Sequence, residues 1–104
     1  MSEDSPQPGT GVPEGAITKE LPIVNKRGLH ARASAKFVQM VERFDAQIWA
    51  TRGGETVGGT SIMGLMMLAA GIGTTITVSA AGKEAEAALA AISELVANKF
   101  NEEE

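Results

Sequence analysis

The sequence predicts an α+β fold: one open sheet with helices against a single face, two layers in all. Three observations predict it. The apolar pattern switches between period two and helical spacing in the order β-α-β-β-α-β-α. Each predicted strand has one apolar and one polar face, as in a sheet covered on one side only. The length of 104 residues suits one domain, and 43% hydrophobic residues can fill a core.

The elements follow in chain order. Residues 1–15 hold three of the four prolines and three glycines, with almost no large apolar residue. That is the composition of a disordered N-terminal tail. "AITKELPIV" (16–24) reads as a first strand, with Leu21 and Ile23 facing inward. Pro22 cannot donate a ladder hydrogen bond, so this strand belongs at a sheet edge. From Ala31 to about Arg43 a helix is expected, with Ser34, Phe37, Val38 and Val41 on one face and Phe44 continuing it. "AQIWATRGGETVGG" (46–59) predicts a hairpin in which Ala46, Ile48 and Ala50 share a side and Trp49 faces the open side or an edge. Gly53 and Gly54 supply the positive φ of its turn.

A short helix follows in "TSIMGLMMLAA" (60–70), with Ser61 as N-cap. Ile62, Leu65, Met66 and Ala69 are expected to form its buried stripe, leaving Met63, Met67 and Ala70 on the other side. Gly64 costs the helix about 1 kcal/mol relative to alanine, so a close neighbour should require it. "TTITVSAAG" (74–82) is a strand with Ile76 and Val78 inward and Thr75, Thr77 and Ser79 outward. The last helix runs from Lys83 to about Lys99 on a stripe of Ala85, Ala88, Leu89, Ile92, Leu95 and Val96. Glu84 and Glu86 stand in its first turn, where the dipole favours them. The domain spans 16–100, and residues 101–104 ("NEEE") form an acidic end expected to fray.

Composition excludes several classes. With no cysteine there is neither a disulfide framework nor a thiolate metal site. One histidine leaves a zinc site to carboxylates, which disfavours it, so no metal and no cofactor is expected. The start of the chain lacks the basic and apolar segments of a signal peptide. No apolar run reaches the ~20 residues of a membrane span. A cytoplasmic protein without membrane insertion is therefore expected. The net charge of −4 and 4% aromatic residues argue against nucleic acid as a partner. A small basic cluster, Lys26, Arg27, Arg32 and Lys36, stands out against that acidic balance.

The single histidine, His30, lies inside that cluster, where a loop becomes the first helix. The backbone N–H groups of Ala31, Arg32 and Ala33 are free at such an end and attract anions, phosphate above all. Arg32 adds a charged fork of donors. Gly28 allows a tight turn just before. The positive surroundings favour neutral imidazole, which is the nucleophilic form. By itself, a lone histidine at a helix start is more often a capping or surface residue.

"GLHARASAKFV" (28–38), the glycine-bearing hairpin, "TSIMGLMMLAAGIGTTITVSAAG" (60–82) and the acidic last helix together resemble the HPr family. These are the histidine-containing phosphocarriers of the bacterial phosphotransferase system. The resemblance covers about residues 16 to 100. It implies an open-faced β-sandwich of four antiparallel strands with three helices on one side. It implies that His30 accepts a phosphoryl group on Nδ1 from enzyme I, which took it from phosphoenolpyruvate, and passes it to an enzyme II A-type protein. The protein is then a carrier and not an enzyme, because its partners catalyse each transfer. Arg32 matches the arginine that neutralises the phosphoryl group.

Ser61 matches the serine that an HPr kinase/phosphorylase modifies in some members, although a serine at a helix start is also simply a good cap. The resemblance places Ile62 and Met63 beside the histidine in the partner-docking surface, with Ala31, Arg32, Met66 and Met67. Methionines adapt to more than one partner, and the basic cluster would steer acidic surfaces toward the site. One departure is Ala33, where the family usually has proline. The relay could serve sugar uptake or a nitrogen-linked regulatory branch. A regulatory binding module controlled at Ser61 is the alternative, and a generic interaction domain a further one. A monomer is expected.

Overall fold

The computed structural model describes residues 12–102. Residues 1–11 of the expected tail and 103–104 of the acidic end lie outside the described residues. Four strands form one antiparallel sheet: β1 (Ile17–Pro22), β2 (Gln47–Arg52), β3 (Glu55–Gly58) and β4 (Thr75–Ala81), in the order β1-β4-β2-β3. Three helices, α1 (Ala31–Val41), α2 (Ile62–Met67) and α3 (Ala85–Ala97), complete the α+β open-faced sandwich. β1 and β3 are the edges, so Pro22 sits where its missing N–H costs no ladder bond.

Alternation explains which sheet face is covered. Leu21 pairs with Ile76, and Ala50 with Val78, and all four side chains are buried. The stripe of α1 seals the same core through Ser34, Phe37, Val38 and Val41. α3 contributes Ala88, Leu89, Ile92, Leu95 and Val96, as its spacing predicts. Gly53 and Gly54 turn the β2–β3 hairpin with φ of 61° and 82°. Glu84 lies at the N-cap of α3 and not inside its first turn, and its carboxylate accepts from the Asp45 N–H at 2.6 Å.

Ser79 lies on the outer face as expected and is nevertheless buried, because Thr18 and Trp49 flank it across the sheet and Thr18 Oγ1 lies 3.3 Å from its hydroxyl. One side-chain expectation fails. In α2 and the residues just after it the buried positions are Leu65, Leu68 and Ala70, while Ile62, Met66 and Ala69 are exposed. The physical reason is length. α2 ends at Met67, Leu68 caps it, and Ala69 enters the left-handed region at φ 54°. Helical periodicity therefore stops predicting burial there, and the chain turns Ala70 inward.

Gly64 meets its expectation. A β-carbon there would lie 3.0 Å from Val57 Cβ on β3 and 2.9 Å from Ser61 Oγ. The space exists only for hydrogen.

Candidate functional site

The site is built on the loop between β1 and α1. Asn25 is fully buried, and its Nδ2 donates to the Gly28 carbonyl at 2.9 Å, while the Gly28 N–H donates to the Asn25 carbonyl at 3.2 Å. This local turn compels Gly28 into φ +64°. The Leu29 N–H then donates to the Ala70 carbonyl at 2.9 Å, which fastens the loop to the chain just after α2. Leu29 is buried, so the next residue emerges at the surface in a fixed direction.

That next residue is His30, the N-cap of α1. Its backbone is extended, and its carbonyl accepts the first helical bond from Ser34 N–H at 2.9 Å. Its side chain makes no capping bond. Instead Nε2 lies 2.6 Å from Oε2 of Glu102, with the two side chains 23% and 11% exposed. The other Glu102 oxygen accepts from Asn25 Nδ2 at 3.2 Å. The carboxylate thus bridges a buried amide and the imidazole. Burial by itself would raise the Glu102 pKa. The hydrogen bonds from His30 and Asn25, with the positive charges of His30 and Lys36, outweigh it and hold the carboxyl below its ordinary value.

A backbone departure brings Glu102 here. After α3 the residues Lys99, Phe100 and Asn101 all have left-handed φ, at 59°, 55° and 59°. Left-handed backbone costs a residue with a β-carbon about 1–2 kcal/mol each. Two anchors offset that cost. The Phe100 ring is fully buried, and Lys36 Nζ donates to the Phe100 carbonyl at 2.7 Å. The turn reverses the chain so that residue 102 meets residue 30.

Around the imidazole, Lys26, Arg27, Arg32 and Lys36 line one basin with Asn101 and Glu102. All four members of the basic cluster seen in the sequence therefore converge on the histidine. Ala31 and Arg32 are exposed beside it, while the Ala33 methyl is fully buried in the core. Only the backbone of Ala33 could face an anion.

Ser61 lies apart from that basin. It caps α2, accepting from the Gly64 N–H at 2.9 Å, and it is exposed. Along α2, Met63 and Met67 are 68% and 67% exposed, and Ile62 and Met66 are also open. Ile72, five residues beyond α2, is also exposed and was not anticipated. Asn25 and Glu102 are the other residues that the sequence reading missed.

Among the described residues no helix is long and apolar enough to cross a membrane, and no group of acidic or histidine side chains could hold a metal ion.

The arrangement offers one imidazole with Nε2 engaged, Nδ1 without a capping bond, and four cations nearby. It can hold an anion beside a nitrogen nucleophile.

Comparison with known proteins agrees with this chemistry. The family model described as "PTS HPr component phosphorylation site" matches residues 17–98. The phosphocarrier protein HPr of Cupriavidus necator is 47% identical over 88 residues, which cover 85% of this chain and 99% of that protein. The phosphocarrier protein NPr of Shewanella violacea is 43% identical over 86 residues, covering 83% and 94%. The crystal structure of HPr-C-His from Thermoanaerobacter tengcongensis superposes with a TM-score of 0.80 at 40% identity, covering 85% of this chain and 99% of that one.

Proposed function

Because the chain belongs to the HPr family of phosphocarriers, we propose that it carries a phosphoryl group on His30 between two phosphotransferase-system partners. Enzyme I is the donor, charged from phosphoenolpyruvate, and an enzyme II A-type protein is the acceptor. The observation that carries this reading is the basin around His30. Its imidazole, at the N-cap of α1, shares it with Lys26, Arg27, Arg32 and Lys36. Nε2 is engaged by Glu102, which leaves Nδ1 as the acceptor atom.

After transfer, the Arg32 guanidinium and the first N–H groups of α1, at Ala31 and Ala33, would hold the phosphoryl oxygens. The donor and acceptor would dock on Ala31, Arg32 and the exposed α2 side chains Ile62, Met63, Met66 and Met67. The carrier works as a monomer in the cytoplasm, where it meets its donor. Relatives of both the HPr and NPr names match, so the relay serves sugar uptake or a nitrogen-linked branch.

The test is incubation with phosphoenolpyruvate and the cognate enzyme I, followed by intact mass and an acid-lability assay, with His30→Ala alongside. One acid-labile phosphoryl group, absent from the variant, is expected. An unlabelled wild type would refute the relay.

The second reading is regulation at Ser61. It rests on the exposure of that side chain at the start of α2, where added negative charge is tolerated. An HPr kinase/phosphorylase with ATP would then add an acid-stable phosphoryl group that Ser61→Ala lacks.

A further inference from the structure

We infer that Glu102 is a positioning residue for phosphoryl transfer: it holds His30 with the proton on Nε2 and balances the charge that the ring acquires. This rests on the relay reading given above, and it adds a residue 72 positions away in sequence.

The geometry comes first. A carboxylate only accepts hydrogen bonds, so at 2.6 Å the imidazole nitrogen must be the donor. With Nε2 carrying the proton, the lone pair of neutral imidazole belongs to Nδ1. The same carboxylate is clamped from behind by Asn25 Nδ2, itself fully buried and tied to the Gly28 carbonyl. The ring is thus fixed in both tautomer and direction, as an orienting carboxylate fixes a catalytic histidine in hydrolases.

The charge balance comes next. The Nδ1 lone pair forms a bond to phosphorus as the bond between phosphorus and the donor atom breaks, its electron pair staying on the donor. No proton leaves His30 in this step. The ring keeps its Nε2 proton and becomes positive beside the new phosphoryl group. Lys26, Arg27, Arg32 and Lys36 face the same basin, and they oppose a positive ring. Among the described residues Glu102 is the acidic side chain lining that basin, and it touches the nitrogen that keeps the proton.

The placement is specific. Three consecutive residues adopt left-handed backbone to bring Glu102 round. Retained strain of this kind is characteristic of functional sites.

The experiment compares wild type, Glu102→Gln and Glu102→Ala. Nitrogen-15 NMR reads the His30 tautomer in the unphosphorylated protein, and quench-flow reads phosphoryl transfer from enzyme I. Wild type should show the proton on Nε2. E102Q keeps a carbonyl acceptor and should keep that tautomer, but it loses the charge and transfers more slowly. E102A should show a tautomer mixture and transfer about tenfold more slowly, since a hydrogen bond to a charged group is being removed. A merely structural glutamate would not separate the two variants in this way. If E102A does not fold, the isosteric E102Q decides the question by its rate.

Transfer at the wild-type rate in the folded variants overturns the proposal. If wild type itself takes no label, the relay reading fails instead, and the tautomer spectrum alone judges the positioning: a proton on Nδ1 would overturn it.

Discussion

A β-carbon on Gly28 would lie 2.3 Å from the Ala70 carbonyl oxygen and 2.8 Å from Gly71 Cα. The loop that presents the histidine and the chain that leaves α2 are in backbone-to-backbone contact at this point, and nothing larger than hydrogen fits between them. The carbonyl that would be struck is the one that Leu29 N–H binds.

Gly28→Ala should therefore be among the most damaging single substitutions. It forces alanine to φ +64° and opens the contact that aims His30. We expect a loss of about 2–4 kcal/mol. In thermal unfolding that corresponds to a melting point lower by roughly 10 °C or more. A melting point within a few degrees of wild type would show that the two segments separate freely.

Ser61→Ala should cost about 1 kcal/mol by removing the cap of α2. Ser61→Asp should cost little, because a carboxylate also accepts from the Gly64 N–H and suits a helix start. Denaturant unfolding of the two variants measures this directly. Equal losses would mean that the hydroxyl matters for something other than capping.

Replacing Met63 and Met67 together by serine should leave stability within about 0.5 kcal/mol per site, because both side chains are largely in solvent. The same double variant should raise the KM of enzyme I for the carrier, as lost apolar docking area does. Unchanged KM would move the docking surface away from α2.

Glu102 makes stability depend on pH with a defined sign. Its folded pKa lies below the ordinary 4.5. Its contribution is then fully present above that value and is lost as pH falls through the lower, folded one. Wild type should lose more stability than Glu102→Gln as pH falls below the ordinary 4.5 and through the lower, folded value. Parallel curves would mean that the contact with His30 does not persist in solution.

The fold was largely legible because its signals are local. Period-two alternation marked Ile48, Ala50, Ile76 and Val78, and a helical stripe marked Ser34, Phe37, Val38 and Val41, all of them buried. α2 misled because a six-residue helix ends before its periodicity can be read, so Ile62 and Met66 are open while Leu68 and Ala70 are covered.

The site divides along the same line. His30 and Arg32 stand together at a helix start and can be recognised there. Lys26, Arg27 and Lys36 were visible as a charge cluster. Glu102 was not, since its place depends on a left-handed turn made by Lys99, Phe100 and Asn101 without a glycine to announce it. Composition alone did not distinguish Asn101 and Glu102 from the acidic residues after them. The buried Phe100 ring and the hydrogen bond from Lys36 fix the turn that places Glu102.

The loop carrying His30 is stitched to segments from far along the chain. Ile23 exchanges backbone bonds with Thr74 and Gly73, Leu29 binds Ala70, and Asn25 and His30 hold Glu102. None of these contacts is available to a nascent or half-folded chain, because each closes a loop of 40 residues or more. An unfinished molecule offers a bare histidine with no fixed nitrogen and no gathered cations. On the relay reading, an acceptor assembled in this way takes its charge only in copies in which residues 25–30 and Glu102 have already met.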